Sequence, residues 1–287
     1  MFSSPWLQEI INLSLKEDLG SGDITSELTI PANKTGVAEI ISRQSGVVAG
    51  LEIAGKVFKI VDAGLDFLAF VSDGEEVGQG EVVAKVAGNL RSIVTAERTA
   101  LNFLQHISGI ATLTNSWVRL IEGYPAQLVD TRKTTPGLRQ LEKYAVVVGG
   151  GRNHRKGLDG GVLIKENHIA AAGGIEEAVN RAKKAAPVTL RVEVEATNLE
   201  QLTEALQAGA ELIMLDNMDT AEMQQAVEIN DGQACLEASG NITGERLQEI
   251  AATGVDYISC GALTHSVPAM DYSLLIVWDT GTGPLSR

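Results

Sequence analysis

Apolar and polar positions alternate along this chain in two rhythms. The first residues, "MFSSPWLQEIINLSLKEDLG", set Ile10, Ile11, Leu13 and Leu15 among Glu9, Lys16, Glu17 and Asp18. That spacing predicts an amphipathic helix. There is no basic stretch followed by an apolar core, so a secretion signal is not expected. Up to about residue 95 the pattern then turns β-rich. "GVAEIISRQSGVVAG" and "VSDGEEVGQGEVVAKVAG" are short β-branched runs cut by glycine turns. The second is similar to the turn-rich half of a barrel-sandwich domain. Its lysine lacks the Met-Lys setting of a biotin or lipoate carrier, so the stretch reads as scaffold. "TAERTALNFLQHISGIATLTNSWVRLIEG" follows, with Leu101, Phe103, Leu104 and Ile107 near helical spacing. It predicts a long helix, or a helix pair, joining two domains.

From about residue 126 the rhythm becomes strand, loop, helix, repeated. The predicted strands are "QLVDT", "GGVLIKEN", "TLRVEVEA", "ELIMLDN", "ACLEASG" and "DYISCGA". The predicted helices include "IEEAVNRAKKAA", "NLEQLTEALQAG", "TAEMQQAVE" and "GERLQEIAATG", with Gly209 and Gly254 where helix C-caps belong. Alternating β and α units imply a parallel sheet. Six units are too few for eight regular β/α pairs but fit a shorter or open barrel. A doubly wound open sheet is the alternative, disfavoured because no G-x-G-x-x-G follows a first strand.

Composition narrows the function classes. The 287 residues carry a formal charge of -14, which argues against general nucleic-acid binding. No apolar run is long enough to span a bilayer. Cys235 and Cys260 lie far apart without metal spacing, so a reduced, cytoplasmic protein is expected. Against this acidic background the basic residues of "DTRKTTPG" (130–137) and "GGGRNHRKGL" (149–158) stand out.

In a β/α barrel the active site lies at the carboxyl ends of the strands. In order, those ends offer Arg132 and Lys133; Lys165 and Glu166; Glu193 and Glu195; Asp216 and Asn217; Glu237 and Ser239; then Gly261, Thr264 and His265. Charges inside apolar strands are costly unless paired or functional. Early ends are cationic and middle ends anionic. The last two, "ASGN" and "SCGALTHS", are small and suit a phosphate site. The acidic arc suits Mg²⁺ and hydroxyls. A phosphate-bearing sugar substrate with metal, and a small polyacid, fit such a mouth. Each piece has a plainer reading. The basic cluster is often a solvated face. His154 and His168 can be structural, and Ser239 can be a helix N-cap. Glu193 and Glu195 point the same way on one strand, as a shared site or as an ionic stripe.

Taken together, "EDLGSGDITS", "ERTALNFLQHISGIAT", "DTRKTTPGLRQLEKYAVVVGGGRNHRKGLDGGVLIKENHI", "VEVEATNLEQ", "IMLDNM", "LEASGNI" and "GALTHS" resemble the quinolinate phosphoribosyltransferase family over nearly the whole chain. The resemblance implies an α/β fold. It has an N-terminal α/β sandwich domain (1–110, with a C-terminal return over 268–287) and an open, TIM-like barrel of about seven strands (111–267). It implies that quinolinate and phosphoribosyl pyrophosphate become nicotinate mononucleotide, pyrophosphate and CO₂ in NAD biosynthesis, with Mg²⁺. It also implies a homodimer with shared active sites. By the family pattern Thr131, Arg132, His154, Arg155 and Lys165 hold quinolinate, and Arg98 reaches in from the partner subunit. Lys133 faces the pyrophosphate, and Glu195 and Asp216 take the ribose hydroxyls and the metal. Ser239, Gly240 and Gly261 cradle the 5-phosphate, with His265 beside them. Lys165 is also expected to steady the carbanion left by decarboxylation. Glu193 and Glu237 receive no role. A non-decarboxylating nicotinate enzyme would not need so many cations. A non-catalytic metabolite-binding barrel is the reading from another class, and fold alone does not exclude it.

Overall fold

The structure is a computed structural model that describes residues 5–277. The strands in chain order are β1 (Thr35–Ser42), β2 (Gly46–Val47), β3 (Asp66–Ala69), β4 (Glu76–Val77), β5 (Val82–Asn89), β6 (Gln127–Val129), β7 (Val162–Ile164), β8 (Val192–Ala196), β9 (Leu212–Asp216), β10 (Cys235–Ser239), β11 (Tyr257–Ser259) and β12 (Tyr272–Val277). The chain forms two units. One comprises residues 1–112 with 267–287, the other residues 113–266.

In the first unit β12, β1, β5 and β3 pair in that order as an antiparallel sheet, and β2 pairs with β4. The returning C-terminal segment thus supplies an edge strand. It is described as far as Val277; the rest of the expected return lies outside the described residues. The first helix, Pro5–Leu19, buries Leu7, Ile11 and Leu15. These recur every four residues and share one face. Leu13, expected on that face, is instead 63% exposed. The β-rich pattern had concealed a helix at Leu51–Val61, whose Leu51, Ile53, Ala54, Val57 and Phe58 are buried. Phe58 stacks on Phe67 of β3 at 5.9 Å between ring centroids, so helix and sheet form two layers. The joining segment is one helix, Leu90–Leu120, and the boundary between the units falls inside it.

In the second unit six parallel strands pair in the order β6-β11-β10-β9-β8-β7. These are the six units legible in the sequence. A seventh is reduced to one bridge: Arg152 pairs in parallel with Val129, on the free side of β6. The barrel stays open between that bridge and β7. Val192, Val194 and Ala196 of β8 are buried, while the alternate residues Glu193 and Glu195 line cavities inside the barrel. Strand alternation produces this division. On β10 it buries Leu236 and Ala238 and sends Glu237 and Ser239 inward. Helices follow the strands. Gly209 and Gly254 take positive φ (74° and 96°) just past two of them, as C-terminal caps require.

Candidate active site

The carboxyl ends of the strands enclose a cleft of about 520 Å³ within the second unit. Thr131, Arg132, Lys133, His154, Arg155, Lys165, Glu195, Asp216, Ser239 and Gly240 all line it. The sequence had placed each of these in the site. Leu163 and Met214 add apolar wall, and Asn217, Glu237, Asn241 and Ser259 complete it.

A buried ion pair builds the cationic side. Asp130, just past β6, is fully buried, and Lys143, from the helix Arg139–Val148, is 2% exposed. The Lys143 ammonium donates to Asp130 Oδ1 and, at 3.1 Å, to the carbonyl of His154. The His154 N–H donates to the same Asp130 oxygen at 2.8 Å. With its amide nitrogen turned inward, Asn153 donates to Asp130 Oδ2 and the Lys143 carbonyl. Burial pushes the Asp130 carboxyl up and the Lys143 ammonium down, and each holds the other charged. The pair ties the 130–133 loop to the 152–155 loop, which places two arginines on one cleft. Arg155 Nη1 donates to the Gly161 carbonyl at 3.1 Å. Burial, and then the neighbouring charge of Arg132, hold the Arg155 guanidinium below its ordinary range. The Nε of Arg132 is buried without a hydrogen-bond partner among the described residues.

The opposite wall is acidic. Lys165 Nζ meets Glu195 Oε1 at 3.1 Å. The Asp216 carboxyl is pushed up, by burial first and then by the charge of Glu195. Asn217 Nδ2 donates to Asp216 Oδ2 at 2.8 Å. Asn217 has φ +57° and Asn241 φ +46°, the left-handed region that asparagine tolerates better than most residues. The Asn217 N–H donates to the Ser239 carbonyl at 2.9 Å, and Asn241 Nδ2 donates to Asn217 Oδ1 at 3.2 Å. Between them Gly240 has φ +97°, and a Cβ there would overlap Asn217 Oδ1. This network fixes the small-residue loop. Neither asparagine was read as structural from the sequence; the signal was an Asn within two residues of each strand's last polar residue. The helix N-cap after β10 is Thr243, so Ser239 is not that cap.

Gly261 and His265 do not line the cleft, but they border it. A Cβ on Gly261 would sit 2.8 Å from Lys133 Cδ and 3.0 Å from His265 Cδ2. Thr264 Oγ1 donates to the Lys133 carbonyl at 2.8 Å, holding that lysine's loop. Arg98 belongs to the first unit, is 58% exposed and lies 4.0 Å from Glu97. It is not among the cleft-lining residues. His168 takes the structural role: its Nδ1 accepts the Lys165 N–H at 3.0 Å.

His154 lines the cleft and is also tied to protein groups through its ring. Its Nδ1 accepts the Arg155 N–H at 2.7 Å. Its Nε2 lies 3.1 Å from Glu193 and 3.5 Å from Glu237. Both ring nitrogens therefore face protein groups. Burial disfavours the imidazolium, but the hydrogen bond to Glu193 and the charges of Glu237 and Glu193 outweigh it and raise the pKa. Donor atoms of His154, Glu193 and Glu237 lie within 4.8 Å of one another. This grouping is separate from the expected metal residues Glu195 and Asp216.

A quinolinate phosphoribosyl transferase C-terminal domain model matches residues 110–275, and the N-terminal domain model of the same family matches residues 23–108. A Synechocystis protein named "Probable nicotinate-nucleotide pyrophosphorylase [carboxylating]" is 45% identical over 276 residues, covering 95% of this chain and 92% of its own length. A Nicotiana glauca "Quinolinate phosphoribosyltransferase [decarboxylating] 2, mitochondrial" is 43% identical over 289 residues, covering 94% and 82%. The solved nicotinate-nucleotide pyrophosphorylase from Francisella tularensis superposes with a TM-score of 0.91 at 44% identity, covering 95% of this chain and 96% of that one. With both domain models in sequence order and whole-length likeness to these proteins, the chain belongs to the quinolinate phosphoribosyltransferase family of carboxylating phosphoribosyltransferases.

Proposed function

We propose that the cleft at the barrel mouth is where this chain joins quinolinate to the ribose of phosphoribosyl pyrophosphate, releasing pyrophosphate and CO₂ and leaving nicotinate mononucleotide. One observation carries the reading. Arg132 Nε is buried without a protein partner, beside an Arg155 whose charge it already disfavours. Buried polar groups require partners, and two crowded guanidiniums call for an anion. A dicarboxylate is the matching ligand, because a guanidinium binds a carboxylate through a planar fork. Thr131, Lys165 and the 152–155 loop complete its surroundings, and Arg98 reaches in from the partner of a homodimer. Nicotinate, with one carboxylate, would leave part of this charge unmatched.

Lys133 faces the pyrophosphate, and Ser239, Gly240 and Gly261 take the 5-phosphate, with His265 beside them. Glu195 and Asp216 hold the ribose hydroxyls. They also fit Mg²⁺, directly or through water or substrate. They are hard oxygen donors, and the charge of Glu195 raises the Asp216 carboxyl, a repulsion that a dication relieves. When bound, Mg²⁺ neutralises charge on the pyrophosphate. The chain's own residues place the two anions in line. Departure of pyrophosphate leaves an oxocarbenium-like ribose, which the pyridine nitrogen attacks. The ring nitrogen becomes cationic and acts as the electron sink for loss of the adjacent carboxylate, with Lys165 near the developing charge. Two free cysteines fit a reduced, cytoplasmic setting, and among the described residues no helix is long and apolar enough to cross a membrane.

The test is Arg132→Lys, which keeps the charge and removes the fork. One charge-assisted hydrogen bond is worth roughly 1.5–3 kcal/mol. The KM for quinolinate is therefore expected to rise at least about tenfold, while that for phosphoribosyl pyrophosphate stays within about twofold. An equal rise in both would contradict the assignment.

A further inference from the structure

Beneath the cleft lies a second cavity of about 470 Å³, inside the barrel and on its open side. Glu193, Leu212 and Tyr257 line it, and the exposed Arg152, Thr189 and Arg191 ring its way to solvent. His154, Arg155 and Glu237 line both cavities and form the floor between them.

Glu237 is an unusual floor. It is 2% exposed. Arg155 N–H occupies His154 Nδ1, so the neutral imidazole carries its proton on Nε2. That N–H is taken by Glu193, 3.1 Å away, while Glu237 Oε2 lies 3.5 Å from the same nitrogen. Oε1 has no hydrogen-bond partner among the described residues. Burying a carboxyl with an unpartnered oxygen disfavours its charged form and favours the protonated one.

The reaction needs such a proton. Loss of CO₂ leaves an electron pair on the ring carbon, and nicotinate mononucleotide has a hydrogen there. We propose that Glu237 is a further catalytic residue, the acid that protonates the ring carbon vacated by CO₂ and that is recharged from water in the lower cavity. This rests on the reading of the cleft given above. The carbon–carboxylate bond breaks, CO₂ leaves and the pair stays on the ring carbon. The carboxyl O–H bond of Glu237 then breaks and its proton joins that carbon. Glu237 remains as a carboxylate, 3.5 Å from His154 Nε2, until a solvent proton returns through the lower cavity. The supply does not depend on the mouth, which the two substrates occupy.

The charged and titratable groups facing Glu237 are Glu193 of β8, His154, Lys165 after β7 and Cys260 after β11. Burial, and then the charge of Glu193, push the Glu237 carboxyl up to about 7, against the pull of His154 and of the Ser259 hydroxyl. A supply of protonated carboxyl at neutral pH follows.

The experiment compares wild type, Glu237→Gln and Glu237→Asp in single turnovers with quinolinate, phosphoribosyl pyrophosphate and Mg²⁺. It follows mononucleotide, CO₂ and, in mixed H₂O and D₂O, the H/D ratio at the new ring C–H. General acids contribute about 10²- to 10⁴-fold. Glu237→Gln is expected to slow mononucleotide formation at least about 10²-fold, to bind quinolinate within about threefold of wild type, and to shift the H/D ratio. Glu237→Asp, which keeps an acid, is expected to recover part of the rate. Wild type is expected to slow as pH rises from 6 to 9.5, and Glu237→Gln is not. A Gln variant with wild-type rate and H/D ratio, one that loses quinolinate affinity at an unchanged rate, or a flat wild-type pH profile would each overturn the proposal. If wild type released no CO₂ from quinolinate, the reading of the cleft itself would fail, which is a separate outcome.

Discussion

Asp130 and Lys143 sit where no substrate is expected, yet they set the positions of residues that the cleft depends on. The pair is almost fully buried, and its spare hydrogen bonds go to the backbone of His154. Removing one member of a buried pair leaves an uncompensated charge and costs about 3–5 kcal/mol. Lys143→Met is therefore expected to lower unfolding stability by that amount in a urea titration. It is also expected to weaken quinolinate binding, because the 152–155 loop loses its anchor. A stability within about 1 kcal/mol of wild type would mean that the pair carries little of the barrel's order. At this scale the sequence is partly readable. Arg132, Arg155 and Lys165 announce themselves as cations at strand exits. The partnership of Asp130 with Lys143 does not, because it joins residues 13 apart through a fold that must already exist.

At the scale of elements, strand alternation explains both what was legible and what was hidden. "VEVEA" and "CLEAS" show their inward carboxylates by the two-residue period. What they do not show is distance. β9 lies between β8 and β10 in the sheet, and Glu237 stands level with Met214 and Glu195, one inward step above Glu193. Only barrel curvature brings both carboxylates to His154. The helix at Leu51–Val61 was hidden for another reason: it lies in a glycine-punctuated, β-branched region. The seventh strand was hidden because one bridge at Arg152 leaves no pattern. The shared placement of Glu193 and Glu237 has a consequence for stability. Glu237 moves from its ordinary 4.5 to about 7 on folding. The folded chain then binds that proton more tightly than the unfolded chain. The associated stability is complete below pH 4.5 and is lost as pH rises through about 7. Glu237→Gln removes this loss. Wild type is expected to lose more stability between pH 5 and 8 than the variant does, as measured by thermal or denaturant melts. Parallel curves over that range would contradict the raised carboxyl.

The whole molecule is an acidic chain of two units with a concentrated cationic site in one of them. The comparisons cover both units, and the family they share makes the chain a phosphoribosyltransferase. The cleft residues lie in the second unit, whereas Arg98 lies in the first, exposed, on the helix that runs through the unit boundary. If Arg98 serves the partner's cleft, inactive Arg98→Ala and inactive Lys133→Ala subunits are expected to regain activity when mixed under exchange conditions. Each mixed dimer would then hold one intact site, or about half of the wild-type turnover per such dimer. No recovery, with exchange demonstrated, would place Arg98 outside the active site. The central claim is that the cations at the barrel mouth select a dicarboxylate and that the site decarboxylates it. The most direct measurement is a time course of CO₂ and mononucleotide with phosphoribosyl pyrophosphate and Mg²⁺, comparing quinolinate with nicotinate. The account predicts equal amounts of CO₂ and mononucleotide from quinolinate and little product from nicotinate. Mononucleotide from nicotinate alone, or no product from either with a folded chain, would contradict it.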